Sequence, residues 1–190
     1  MNLRKIIILF LLCLFAGKAA MAQRRPIYEP PYHLEKGISI HLTNPLSLSS
    51  KGGIMAEYRV GVQRSFLFAF TKYWGYFPGY QGYASFRQYV ETRGRHENFL
   101  YVKGGVGHAE YEPSDWLNKE KQVFEAPGDY FFGGGGVGRH FNFGVFFLEA
   151  TAGVKYSAVP KPISNYYERV FYVTGPGAIA EINFNFGFQF

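Results

Sequence analysis

Apolar and polar residues alternate strictly in the last ten residues, "EINFNFGFQF". One row is apolar and contains Ile182, Phe184, Phe186, Phe188 and Phe190, whereas the other row contains Glu181, Asn183, Asn185, Gly187 and Gln189. Side chains of a β-strand point alternately to its two faces, so this segment predicts a strand with one wholly apolar face. Such a face meets the core of a soluble protein, or lipid when it belongs to a membrane barrel.

The same period of two recurs along the chain, and we count eight segments that follow it. They cover residues 36–44, 53–60, 62–74, 80–91, 98–111, 130–141, 144–157 and about 177–190. Transmembrane strands need about 9 to 11 residues, and single-chain bacterial barrels close with an even number of strands. The sequence therefore predicts an all-β fold, an eight-stranded antiparallel transmembrane β-barrel with an up-and-down meander over residues 36–190.

Residues 1–22 have the organisation of a secretory signal peptide. Arg4 and Lys5 precede an apolar run at residues 6–15, and small residues around Ala22 favour cleavage after that position. The run is too short for a transmembrane helix, and residues 23–35 are then expected to form a periplasmic N-terminal segment. Cys13 is the only cysteine and lies inside the run after Leu12, which does not fit a lipidation site. The mature chain is therefore expected to lack a thiol.

Short and long connections alternate between the predicted strands. The short ones lie near residue 61, at 92–97 and near 142, and the longer ones at 45–52, 75–79, 112–129 and 158–173. Outer-membrane barrels have short periplasmic turns and longer extracellular loops, so the long connections are predicted to be surface loops. Nearby aromatic residues predict interface girdles, with a lipocalin-like soluble barrel as the alternative: Tyr73, Trp74, Tyr76, Phe77, Tyr130, Phe131, Phe132 and Tyr156.

Charged residues occupy the polar rows, which face the lumen of a membrane barrel. The predicted lumen charges are Glu57, Arg59, Arg87, Lys103, Glu149, Lys155 and Glu181. An eight-stranded barrel is only wide enough for its side chains, and buried charges need partners. We therefore predict a structural plug of salt bridges, with a narrow ion channel as the alternative. The formal charge of +6 falls to about +3 without Arg4, Lys5 and Lys18, which gives no indication of nucleic-acid binding.

With its signal, eight alternating segments and "INFNFGFQF" terminus, the chain resembles small outer-membrane β-barrel proteins of the OmpA/OmpX-like superfamily, in the form common in Bacteroidota. The terminal apolar row at Ile182, Phe184, Phe186, Phe188 and Phe190 resembles the signal that the outer-membrane assembly machinery recognises. The resemblance implies location in the outer membrane of a Gram-negative cell, insertion by that machinery, and contact with membrane lipid and lipopolysaccharide. It implies no single activity, because this fold carries many functions.

Catalytic and cofactor motifs are weak. Gly133 to Gly136 lack the lysine and following helix of a phosphate-binding loop. A lipid A-modifying enzyme needs a histidine, a serine and an acid together, and neither His140 with Asn142 nor His108 with Ser114 forms a recognisable triad. We therefore expect no enzyme activity, cofactor or metal. The expected function is a monomeric barrel with a structural role, or a surface-interaction role through its loops.

Overall fold

A computed structural model gives the fold of the chain. It describes residues 36–41, 50–60, 63–75, 77–93, 96–110, 127–159 and 165–189. The predicted signal peptide at 1–22, the predicted periplasmic segment at 23–35 and Phe190 lie outside these residues. Among the described residues, no helix has the length and apolar character needed to cross a membrane.

Eight strands form one closed antiparallel sheet. In chain order they are β1 Lys36–His41, β2 Ser50–Arg59, β3 Arg64–Trp74, β4 Gly79–Arg93, β5 His96–Ala109, β6 Gly128–Phe143, β7 Phe146–Ala158 and β8 Ala180–Gln189. Each strand pairs with the next, and β1 also pairs with β8, where Ile38 lies opposite Phe188. The predicted all-β antiparallel meander is therefore confirmed. The pairing of β1 with both β2 and β8 closes the sheet along the length of β1 and protects the edges that those strands would otherwise expose there.

The alternation of side chains decides which residues enter the barrel. In β3, Leu67 is 1% exposed, whereas the adjacent Phe68 is 63% exposed. In β8, Glu181 and Asn183 are buried inside and Phe184 is exposed outside. Apolar side chains therefore cover much of the outer wall, and polar or charged side chains occupy much of the interior.

One end of the barrel carries the short connections, and we call it the turn end. Gly144 and Val145 alone join β6 to β7 there. Gly144 has a φ of +87°, which glycine adopts without the steric cost that a β-carbon would add. Between β2 and β3, the Val60 N–H donates to the Arg64 carbonyl at 2.8 Å. These tight turns fix the register of the strand pairs they join.

The opposite end holds a helix, α1, at Asn165–Val173 between β7 and β8. The long connection predicted over residues 158–173 contains this helix, which the sequence analysis did not identify. Phe171 is fully buried, and its ring centroid lies 5.6 Å from that of Phe77 and 5.4 Å from that of Tyr130. Burial of this ring in an apolar site favours the helix over a solvated loop. We call residues 165–179, which comprise α1 and the turns after it, the cap, and this end of the barrel the cap end.

The aromatic residues predicted to form girdles are divided between two environments. Trp74, Phe131 and Tyr156 are exposed on the outer wall. The girdle prediction is wrong for Tyr73, Phe77, Tyr130 and Phe132, which are buried. Three of these four occupy inward positions of their strands, and Phe77 packs in a cluster with Phe171. Tyr76 lies outside the described residues.

Glycine in β6 makes room for aromatic rings in the lumen. The inward-facing Gly136 lies opposite Tyr101 of β5 on one side and Gly153 of β7 on the other. A β-carbon on Gly136 would lie 2.9 Å from the Tyr101 hydroxyl and 2.2 Å from the Ala152 carbonyl oxygen, which is a backbone atom. At Gly136 the absence of a β-carbon therefore allows a ring and a neighbouring strand to pack closely.

Replacing Gly136 by Ala is expected to lower the free energy of unfolding by about 1–3 kcal/mol, because overpacking forces the backbone to shift. Gly133→Ala is the matched control in the same run, since the nearest atom to its added β-carbon is the Lys103 carbonyl oxygen at 3.8 Å. Urea titration of the protein folded in lipid vesicles measures both variants. Equal destabilisation by the two changes would contradict this account of the glycine run.

Candidate functional site

All seven predicted lumen charges lie inside the barrel. Arg87, Glu149, Lys155 and Glu181 are buried, and Glu57, Arg59 and Lys103 are partly buried. They form two groups at different heights. One group surrounds the two arginines towards the turn end, and the other surrounds the lysines towards the cap end.

Arg87 of β4 is the centre of the first group, which we call the arginine cluster. Its guanidinium donates two hydrogen bonds to Glu149 of β7, at 2.6 and 3.0 Å, and one to Glu57 of β2, at 3.0 Å. Arg87 is 4% exposed and Glu149 is 2% exposed. The Asn185 amide also donates to Glu149, at 2.7 Å. The planar guanidinium suits this two-point contact with a carboxylate and ties three strands together across the lumen.

A second ion pair belongs to the same cluster and lies closest to the turn end. Arg59, the last residue of β2, donates to Glu97, the second residue of β5, at 3.0 Å. The Arg59 guanidinium also lies 4.1 Å from the ring centroid of Tyr89. The Tyr89 hydroxyl donates to Glu57 at 2.6 Å. The two ion pairs are therefore linked into one network by a tyrosine.

The group towards the cap end, which we call the lysine cluster, surrounds Glu181 of β8. Lys103 of β5 and Lys155 of β7 both form salt bridges with that carboxylate, the second at 3.1 Å. Lys51 of β2, 7% exposed, donates a hydrogen bond to Asn183 of β8. Three strands thus bring an ammonium group towards β8 at this height.

The cap closes the barrel above the lysine cluster through apolar and polar contacts. Its Pro176 carbonyl accepts hydrogen bonds from Lys155 at 2.5 Å and from the Gln81 amide at 2.9 Å. Gln81 in turn accepts a hydrogen bond from Tyr73 at 2.7 Å. Because these partners lie on β3, β4 and β7, the cap is anchored to strands around the barrel as well as packed on Phe77.

Bulky side chains line the lumen around the two clusters. Tyr83 donates to the Met55 sulfur at 3.7 Å, and the Phe99 ring lies 6.3 Å from Tyr101. The Arg87 guanidinium lies 4.6 Å from the Phe99 ring centroid. Rings and ion pairs together occupy much of the part of the lumen that the structure describes.

The histidines weighed as catalytic residues occupy different surfaces. His140 faces the lumen, stacks on Phe147 at 4.3 Å and lies 3.5 Å from Glu149. His108 is on the outer wall, where its Nδ1 lies 2.7 Å from Asp129. Ser114 lies outside the described residues. In the described ranges, no group of three or more histidine, cysteine or acidic residues is placed to hold a metal ion.

Among the described residues, two charged side chains and one histidine of the lumen were missed by the sequence analysis: Lys51, Glu97 and His140. Lys51 and Glu97 lie in segments that were predicted to be connections, and β2 and β5 extend over them. Lys51 lies four residues before the inward-facing Met55, and Glu97 lies two residues before the inward-facing Phe99. Extending the alternation of these strands towards their N-terminal ends would therefore have identified both residues. His140 lay on a predicted strand, and its inward position follows from the parity of Gly138.

Comparison with known proteins supports the class of fold. No protein-family model matches the chain, and no curated protein matches it. The N-terminal β-barrel domain of Pseudomonas aeruginosa OprF is similar in structure, with a TM-score of 0.54 at 13% identity over 83% of this chain and 98% of that domain. The Yersinia pestis outer membrane protein Ail has a TM-score of 0.44 at 13% identity over 83% of this chain and 100% of that protein. The chain therefore has the fold of an outer-membrane type β-barrel, similar to the OprF barrel domain.

Replacing Glu149 by Ala is expected to lower the free energy of unfolding by roughly 3 kcal/mol. This is the low end of the range for breaking a buried ion pair, because Arg87 keeps its hydrogen bond to Glu57. The midpoint of unfolding in urea, measured for the protein in lipid vesicles, reports the change.

Asp129→Ala is the matched control, since it removes a carboxylate that pairs with His108 on the exposed outer rim. It is expected to cost less than about 1 kcal/mol, as for other exposed pairs. Equal costs for the two variants would show that the Arg87 network contributes no more than a surface pair.

Proposed function

We propose that this chain is an eight-stranded β-barrel protein of the bacterial outer membrane, with a filled lumen and a structural or surface-interaction role. The observation that carries the proposal is the distribution of its side chains. Ile54, Phe68 and Phe131 are each more than 60% exposed on the outer wall, while Arg87, Glu149 and Glu181 are buried inside. A water-soluble barrel instead needs polar side chains on its outer wall and apolar side chains in its interior.

Lipid is the environment in which this distribution is favourable. An apolar patch of more than a few hundred Å² is rare on a soluble monomer, whereas membrane barrels carry an outward apolar band. The pairing of β1 with β8 supports the same conclusion, because backbone groups inside a bilayer have no water to bond and must pair with each other. The likeness to the OprF barrel domain is further support for this location.

We place the cap end outside the cell and the turn end in the periplasm. Long connections at residues 42–49, 110–127 and 159–179 share the cap end, and the two-residue turn at Gly144 and Val145 lies at the other. This asymmetry is that of bacterial outer-membrane barrels. The partners proposed are outer-membrane lipid and lipopolysaccharide on the wall, and the assembly machinery on β8. In β8 the Phe184 and Phe188 rings are exposed on the outer wall and accessible to such a machinery.

The surface role is assigned to the cap-end connections, because binding residues commonly lie on loops that a rigid scaffold positions. A narrow channel is the alternative function, and two observations weigh against it. The cap covers the lysine cluster through Pro176, and the arginine cluster bridges β2, β4 and β7 across the lumen. Ions can pass through the lumen only if both the cap and the arginine cluster move aside.

Phe184→Arg is expected to cost roughly 2–4 kcal/mol of folding free energy if this side chain faces the middle of the bilayer. Val145→Arg is the matched control, because Val145 is 67% exposed in the two-residue turn and is expected to lie near the headgroups. Folding titrations in phospholipid vesicles measure both variants. Similar costs at the two positions would remove the argument for a lipid-facing band.

Purified protein in a planar bilayer is expected to give no sustained, porin-sized conductance steps. The reason is the small radius of an eight-stranded barrel, combined with the ion pairs and rings that occupy it. Removal of the Phe171 ring by Phe171→Ala loosens the cap and leaves the arginine cluster in place, so the variant is also expected to remain closed. Sustained large steps from the wild-type protein would favour the channel function instead.

A further inference from the structure

The lysine cluster contains more positive charge than its partners neutralise. Lys51, Lys103 and Lys155 come from three different strands, and Glu181 is the one carboxylate that forms salt bridges with the cluster among the described residues. Lys51, the third lysine, bonds to the neutral amide of Asn183. Lys155 and Glu181 are 3% and 5% exposed, so water outside the barrel does little to screen these charges.

The other lumen carboxylates are engaged elsewhere. Glu57 and Glu149 bind Arg87, and Glu97 binds Arg59. In the described part of the lumen, these ion pairs commit the arginine cluster's acids to its own guanidinium groups. A buried charge without a partner is strongly unfavourable, so a negative counterpart would stabilise the surplus charge at the lysine cluster.

Aromatic faces stabilise two of the ammonium groups but leave their charge in place. Lys103 lies 5.1 Å from the ring centroid of Tyr83, and Lys155 lies 5.1 Å from that of Phe132. Such contacts attract a cation to the negative face of the ring without supplying a counter-charge. The net positive charge of the cluster therefore remains.

A buried hydroxyl gives an independent indication of what the site accepts. Ser157 follows Lys155 on the inward row of β7 and is 1% exposed. Its Oγ has no hydrogen-bond partner among the described residues. Lys155 and Ser157 thus present donors from the same face of β7. A surplus of donors and positive charge calls for a ligand that only accepts hydrogen bonds, which is the property of an anion.

We propose that the lysine cluster is a binding site for a small inorganic anion of the size of chloride, held by Lys51, Lys103 and Lys155 beneath the cap. The cap and the rings of Tyr83 and Phe132 enclose the cluster, which restricts the ligand to a small ion. The anion neutralises one of the two positive charges that Glu181 leaves uncompensated, and it links β2, β5 and β7. This site is independent of the role of the loops.

The test measures thermal unfolding of the full-length protein in non-ionic detergent, in sodium chloride and in sodium gluconate at one ionic strength. Gluconate is too large for the enclosed site. Above the dissociation constant, each tenfold increase in chloride is expected to raise the folding equilibrium constant about tenfold, whereas gluconate is without effect. Superimposed curves in the two salts would overturn the proposal. That result is expected if one lysine is neutral and the cluster needs no anion.

Lys51→Met tests the site residue, since it removes one ammonium group and leaves both salt bridges to Glu181. This variant is expected to bind chloride at least tenfold more weakly than the wild-type protein does. It is also expected to be more stable than the wild-type protein in gluconate. Lys72→Met is the control, because Lys72 is exposed on the outer row of β3, and it is expected to keep the full dependence. Full chloride dependence in the Lys51 variant would contradict the assignment.

Bromide provides a measurement on the wild-type protein that does not require a variant to fold. Crystals grown or soaked in sodium bromide are expected to show an anomalous peak among the three ammonium groups. A map with no peak at the lysine cluster would overturn the proposal.

Discussion

Closure of the sheet through the pairing of β1 with β8 is the constraint on which the rest of the structure depends. Once the sheet is closed, every second residue of each strand must enter a lumen whose radius is set by the strand number. The side chains that enter it must then pack together, and their charges must find partners. The glycines of β6, the rings of Tyr101 and Phe99, and the Arg87 network are consequences of that single geometric fact.

Large and small residues complement each other around the lumen. Tyr101 lies between Arg87 on β4 and Gly136 on β6, and Gly136 lies opposite Gly153 on β7. The ring occupies the space that two glycines leave, because a β-carbon on Gly153 would lie 2.4 Å from its hydroxyl. A strand rich in glycine is poorly stabilised by its own side chains, so β6 depends on packing supplied by β5.

Much of the fold was predictable because a period of two is a direct signature of a strand with two different faces. Parity alone placed Glu57, Arg87 and Glu181 in the interior, since the exposed side of the same strands is apolar. The assignment of strand ends was wrong where Lys51 and Glu97 looked like parts of connections, because ladder pairing extends a strand beyond its alternating centre.

The cap could not be predicted from local sequence. Residues 165–173 form a helix too short to be stable alone, and helices of this length depend on tertiary packing. The decisive contact is between Phe171 and Phe77, which are distant in sequence and are brought together by the tertiary fold. The same limit explains the error over Phe77, because its chemistry suits an interface girdle as well as a buried cluster.

The two charged clusters use different cations for a physical reason. In the arginine cluster, the planar fork of Arg87 holds two carboxylates with defined geometry, which makes a rigid bridge across β2, β4 and β7. The lysines near the cap carry compact charges on flexible stems, so they direct an ammonium group towards Glu181 from several strands but fix no orientation. The rigid network therefore lies towards the short turns, and the adaptable one lies beneath the cap. That order separates the arginine cluster from the cap, whose Pro176 carbonyl instead bonds to Lys155 of the lysine cluster.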